Sequence, residues 1–167
     1  MSLGGGAPVG GRGASIGFPK WKPMNASTYQ IRQLMSPHVV VARPHYSLAH
    51  AIRLMFQMNI HHLPVVDAHN RLVGIFSSND ALRAYTYLRS SSALKEDGER
   101  EPELTVEDFM TRNPHVVSPD DHVEVAVGLF NREKIHSLPV VENGKLVGIL
   151  TAQDLIRFLD FHTHLIV

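Results

Sequence analysis

Two four-residue clusters, Ser77-Ser78-Asn79-Asp80 and Thr151-Ala152-Gln153-Asp154, carry the most legible chemistry in the chain. In each, a hydroxyl residue that closes an apolar run is followed three positions later by aspartate. That spacing predicts a helix start, in which Ser77 or Thr151 accepts a backbone N–H and the acid returns a bond to the cap. A carboxylate in a first helical turn also suits the helix dipole. The same helix end is a natural anion site, because its first N–H groups have no partner within the helix. His61 and His136 form a second candidate pair, each two residues ahead of Leu-Pro-Val-Val. An imidazole there can donate or accept a hydrogen bond.

The elements that must position these groups follow from hydrophobic periodicity. Apolar residues at 48, 51, 52, 55 and 58 predict an amphipathic helix over Leu48–Met58 with Ser47 as its cap. Leu63–Val66 and Leu72–Phe76 read as two strands joined by Asp67-Ala68-His69-Asn70, and Gly74 within the second points to a close backbone approach. Ser77 to about Arg89 reads as a helix with Leu82, Tyr85 and Leu88 on one side. Upstream, Gln30–Met35 is a short helical turn carrying Ile31 and Leu34 inward, and His38–Ala42 is extended and apolar.

The pattern then returns. A shift of 75 positions aligns Met35 with Met110, Val41 with Val116, Pro44 with Pro119, Ala51 with Ala126 and Ile60-His61 with Ile135-His136. After the hairpin turn the shift becomes 74, aligning Gly74 with Gly148, Asp80 with Asp154 and Arg83 with Arg157. The lost residue falls in the turn, where Asn143-Gly144 suits a type I′ connection, so the inward faces of both strands are preserved. Each unit is β-α-β-β-α, and a unit of roughly 50 residues buries too little surface to stand alone. The expected fold is therefore α/β, with two pseudo-twofold-related β-α-β-β-α repeats packed into one body. The expected boundaries are a flexible arm at 1–29, a first repeat at 30–89, a linker at 90–104 and a second repeat with its tail at 105–167. Trp21 and Tyr29 are the residues able to pin the arm.

Composition narrows the function classes. The chain has 16 basic and 16 acidic residues and no net charge, which argues against binding driven by a nucleic-acid backbone. It has no Cys, and no apolar run approaches the ~18–20 residues that span a bilayer. The start lacks a charged segment followed by an apolar one, so a cytoplasmic protein is expected. Neither His61-His62 nor His162-x-His164 has the spacing of a helical metal site, and no metal ligand is expected. No nucleophile–base pair, phosphate loop ending in Gly-Lys-Ser/Thr or paired-acid motif is present, so no catalytic residue and no enzyme activity are expected.

The doubled pattern Val-x-x-Pro, Ile-His-x-Leu-Pro-Val-Val, Leu-Val-Gly-Ile-x-[Ser/Thr]-x-x-Asp resembles a CBS-domain pair, or Bateman module, over about residues 30–160. The resemblance implies stand-alone tandem CBS repeats that form a homodimer, a flat disc of four repeats. It also implies a regulatory module that binds AMP, ADP, ATP or S-adenosylmethionine and signals to a regulated protein. Carried over residue by residue, it implies that Asp80 and Asp154 accept from a ribose diol, with Ser77 and Thr151 beside them. It implies that His61, His62 and His136 reach phosphates. It further implies that Val40, Ala42, Val116 and Val117 wall an adenine ring, and it places Pro64 and Pro139 among the ligand-binding residues. Where similar proteins carry His-Arg, this chain has His61-His62 and His136-Ser137, which removes a permanent charge. Arg43, Arg53 and Arg132 are the candidates to replace it. The alternative is a ligand-free dimerisation scaffold whose aspartates only cap helices. The differences between copies favour Thr151–Asp154 as the ribose site.

Overall fold

Two apolar hairpins, each followed at once by a helix, form the frame. In the computed structural model, which describes residues 29–92 and 103–163, β1 (His62–Val66) pairs antiparallel with β2 (Leu72–Ser77). In the second repeat β4 (Ser137–Glu142) pairs with β5 (Lys145–Thr151) in the matching register, Val65↔Gly74 answering Val140↔Gly148. Helices α1 (Leu48–Met58) and α4 (Val123–Glu133) precede the hairpins, and α2 (Ser78–Ser92) and α5 (Ala152–Thr163) follow them. Ser47 caps α1, its hydroxyl accepting from the His50 amide at 3.3 Å. Asn143 and Gly144 both take positive φ, as a type I′ turn requires.

The expected extended segment at the start of each repeat is reduced to a single parallel bridge. Ala42 pairs with Val65, and Val117 pairs with Val140. Ala42 N–H donates to the Pro64 carbonyl at 2.9 Å, and Val117 N–H to the Pro139 carbonyl at 3.2 Å.

The repeats are not self-contained. The short 3-10 turn Ile31–Gln33 buries Ile31 completely in the second repeat's core, with Val117, Ala126, Leu138, Val140 and Leu150. Reciprocally, α3 (Val106–Phe109) sends Val106 into the first repeat's core, beside Ala51, Leu63, Val65 and Phe76. The backbone bonds mirror each other: Ile31 N–H to the Asp121 carbonyl at 2.9 Å, Val106 N–H to the Tyr46 carbonyl at 2.9 Å. Downstream of these turns, Ser36 bridges Ile149, and β3 (Thr111–Arg112) pairs with β2. Each hairpin is thus edged by the segment that leads into the other repeat. Fully burying a residue such as Ile31 contributes about 1.5–3 kcal/mol, so the exchange fastens the two repeats together.

The two strand glycines explain why Met35 and Met110 recur. A Cβ on Gly74 would lie 2.6 Å from Met110 Sδ and 2.9 Å from the Thr111 carbonyl oxygen. A Cβ on Gly148 would lie 2.7 Å from Met35 Sδ. The close approach expected at Gly74 is the crossing of the exchanged segment.

Leu82 and Tyr85, on one side of α2, are 63% and 60% exposed, and the residues of α2 packed into the core are Ala81 and Ala84. Small residues let α2 sit close to its sheet and turn the larger apolar ones out. Tyr29, expected as an anchor of the arm, packs edge-on against Phe158 of α5 with ring centroids 4.7 Å apart. Trp21, His164, most of the arm at 1–29 and residues 93–102 of the expected linker lie outside the described residues.

Candidate functional site

Both polar clusters fold as the cap chemistry requires. Asp80 Oδ2 accepts from the Ser77 amide and hydroxyl, each at 2.7 Å. Asp154 Oδ2 accepts from the Thr151 amide at 2.8 Å and its hydroxyl at 2.6 Å. The strand therefore passes into the helix without an intervening loop, and each acid is held rigidly at the open end of its hairpin.

The second oxygens differ. Arg83 donates to Asp80 Oδ1 at 2.5 Å and also to the Phe109 carbonyl at 2.8 Å, which stitches α2 to α3. The Asp80 side chain is 7% exposed. Asp154 Oδ1 meets Arg157 only at 3.6 Å, too long for a hydrogen bond, and the Asp154 side chain is 11% exposed.

A cleft of about 670 Å³ opens beside Asp154. Its floor and walls come from three parts of the chain. Ser36, His38, Val39 and Val40 lie on the segment exchanged onto β5, Asn59–His62 lead into β1, and His136, Ile149, Thr151–Asp154, Ile156 and Arg157 belong to the second repeat. Val39, Val40, Ile60 and Ile149 supply apolar wall; Thr151, Gln153, Asp154, Arg157 and the histidines supply polar groups. This is the composition of a small-molecule site: apolar walls with a few convergent polar groups.

Of the expected site residues, Val40, His61, His62, His136, Thr151 and Asp154 come together in this cleft. Ser77 and Asp80 are tied up in the other copy's cap and its arginine pair. Ala42, Pro64, Val117 and Pro139 are core residues, and the bridges described above occupy the Ala42 and Val117 amides. Val116 is 45% exposed and outside the cleft lining. Of the three arginines named as replacements, none lines the cleft: Arg43 donates to the Val66 and Asp67 carbonyls, Arg132 pairs with Glu133, and Arg53 is exposed. The arginine that lines the cleft is Arg157. Its recurrence as Arg83, one helical turn after each aspartate, was the signal for it.

His62 is half-buried at the start of β1. Burial pushes its affinity for a proton down, and the neighbouring His136 and His61 push the same way, while Asp80 opposes them. His61 Nδ1 lies 3.2 Å from the Ser78 hydroxyl. Among the described residues no cluster of three or more His, Asp or Glu side chains has metal-binding geometry.

Two hairpin–helix repeats, each completed by a segment of the other, define a two-repeat α/β module with a cleft at their junction. The chain belongs to the CBS-domain family: the family model matches residues 31–87 and 106–160, one match for each repeat. It is 31% identical to L-aspartate semialdehyde sulfurtransferase of Methanocaldococcus jannaschii over 86% of this chain, but that stretch is only 26% of the relative's length. The fold matches the CBS domain pair of protein MJ0100 in complex with 5′-methylthioadenosine and S-adenosyl-L-methionine, with a TM-score of 0.68 and 27% identity over 80% of this chain and 98% of that one. It equally matches CBSX2 in complex with AMP, with a TM-score of 0.68 and 30% identity over 81% of this chain and 98% of that one.

Proposed function

We propose that the chain is a regulatory module that holds one adenosine-containing ligand (AMP, ADP, ATP or S-adenosylmethionine) in the cleft beside Asp154. The observation that carries this reading is the Oδ1 of an otherwise fixed carboxylate, within ion-pair reach of Arg157 at 3.6 Å but without a hydrogen bond, at the mouth of an apolar-walled cleft. A ribose diol donates to that oxygen, with the Thr151 hydroxyl alongside. The adenine lies between Val39–Val40 and Ile60. The remaining polar part of the ligand points to His61, His62, His136 and Arg157. Support comes from similar CBS pairs that hold adenosine compounds.

Because the ligand touches both repeats and α5, it shifts any equilibrium between arrangements of these elements, to the extent that it binds one arrangement better. Helix α5 also carries Ile156 and Leu159, which are 57% and 48% exposed, and α2 exposes Leu82 and Tyr85 at the equivalent positions. We take these paired apolar faces as the seat of a second copy in a homodimer, and α5 as the link from the cleft to that dimer or to a regulated protein. The zero net charge argues against nucleic acid as the partner. Among the described residues no helix is long and apolar enough to cross a membrane. The cytoplasm is the proposed location, and the role is binding rather than catalysis.

The completed capping boxes favour one second reading, a ligand-free scaffold in which both acids serve only their helices. Thermal-shift measurements with AMP, ATP and S-adenosylmethionine separate the two. A rise in melting temperature with at least one of them is expected, and no rise with any supports the scaffold.

A further inference from the structure

Four histidines line the cleft beside Asp154: His38 on the exchanged segment, His61 and His62 at the start of β1, and His136 just ahead of β4. Facing them from α5 are Arg157 and one acid, Asp154, whose Oδ2 is already engaged in its cap. Asp80 also acts on His62 from the start of α2, but it is paired with Arg83. The remaining polar lining groups, Ser36, Asn59, Thr151 and Gln153, carry no charge.

Protonating several of these imidazoles together sets like charges beside Arg157 in a half-buried space, which disfavours the charged forms. A phosphate dianion placed among them reverses the balance. Each imidazolium then gains an opposite charge and a charge-assisted hydrogen bond. Neutral imidazole, by contrast, offers a phosphate only one donor. An adenosine without phosphate gains nothing from protonation of this wall.

Resting on the adenosine reading above, we propose that a nucleotide's phosphate binds at this histidine wall with net uptake of protons, so that the cleft reads nucleotide and pH together. By linkage, affinity for the nucleotide falls as pH rises, by up to about tenfold per pH unit for each proton taken up.

The test is titration calorimetry of the full chain with AMP and with adenosine at pH 7 and pH 8, in buffers of low and high ionisation enthalpy, neither containing phosphate. This range keeps the ligand's own phosphate ionised, since its second pKa is about 6. The expected result is proton uptake with AMP and none with adenosine, and AMP affinity about threefold to tenfold weaker at pH 8. AMP binding without proton uptake and with equal affinity at both pH values overturns this proposal alone. Binding of neither compound overturns the adenosine reading, and this one with it. His136→Gln and His62→Gln should each lower the uptake and narrow the preference for AMP over adenosine. Wild-type uptake in both variants places the protons elsewhere and rejects the proposal.

Discussion

Arg83 donates to Asp80 at 2.5 Å, whereas Arg157, its counterpart in the second repeat, stands 3.6 Å from Asp154. Two copies of one motif thus end in different states, one closed by its own arginine and one open to a cleft.

That asymmetry predicts different outcomes for the two aspartates. Asp154→Ala should weaken binding of an adenosine ligand by about 1.5–3 kcal/mol, the effect of losing hydrogen bonds to a charged group. Asp80→Ala should leave affinity nearly unchanged and act on stability, at about 1 kcal/mol for the lost cap. Calorimetry and thermal melts of both variants read the two effects separately. Equal losses of affinity in both would contradict the assignment.

The exchanged segments predict a steric result at the strand glycines. Gly74→Ala must displace Met110 and the Thr111 backbone, so a loss of about 1–3 kcal/mol is expected in urea unfolding. Gly148→Ala should be milder, because its tightest neighbour is the flexible end of Met35 and its nearest backbone atom, the Ser36 oxygen, is 3.2 Å away. Reversal of that order would show that the crossing is looser than described.

His62 predicts the pH dependence of the unliganded protein. Its folded pKa lies below the ordinary 6.5, mainly through burial, so just below that value the folded state holds fewer protons than the unfolded chain. Its contribution to stability is therefore full above about pH 6.5 and lost as pH falls through the lowered folded value. The melting temperature should drop between about pH 7 and pH 5, and His62→Gln should flatten that slope. An unchanged slope would assign it to other groups.

The outward apolar faces of α2 and α5 predict the oligomeric state. Light scattering should give the mass of two chains for the wild type. Tyr85→Glu with Leu159→Glu should give one chain, with the melting curve retained. A wild-type monomer would remove the homodimer from the account.

Much of this was legible in the sequence. The repeat offset located both hairpins, and the Ser/Thr-x-x-Asp spacing located both caps, because these depend on local geometry alone. The exchange of Ile31 and Val106 between repeats was not legible. Their short helical turns look alike from either side, and only the tertiary fold decides which core receives them. The same limit holds for α2, where periodicity places Leu82 and Tyr85 on one side and only the packing of the sheet turns Ala81 and Ala84 inward. At the site, the differences between the copies favoured Thr151–Asp154, but the unequal arginine pairing of the two acids was not legible; it goes with Phe109, whose carbonyl accepts from Arg83 and holds it across the first acid.

The most direct test is the stoichiometry and residue dependence of adenosine-ligand binding to the full chain, measured by calorimetry with AMP and S-adenosylmethionine. One site per chain, strongly weakened by Asp154→Ala and little changed by Asp80→Ala, is the predicted result. No heat with either compound, or binding indifferent to Asp154, would contradict it.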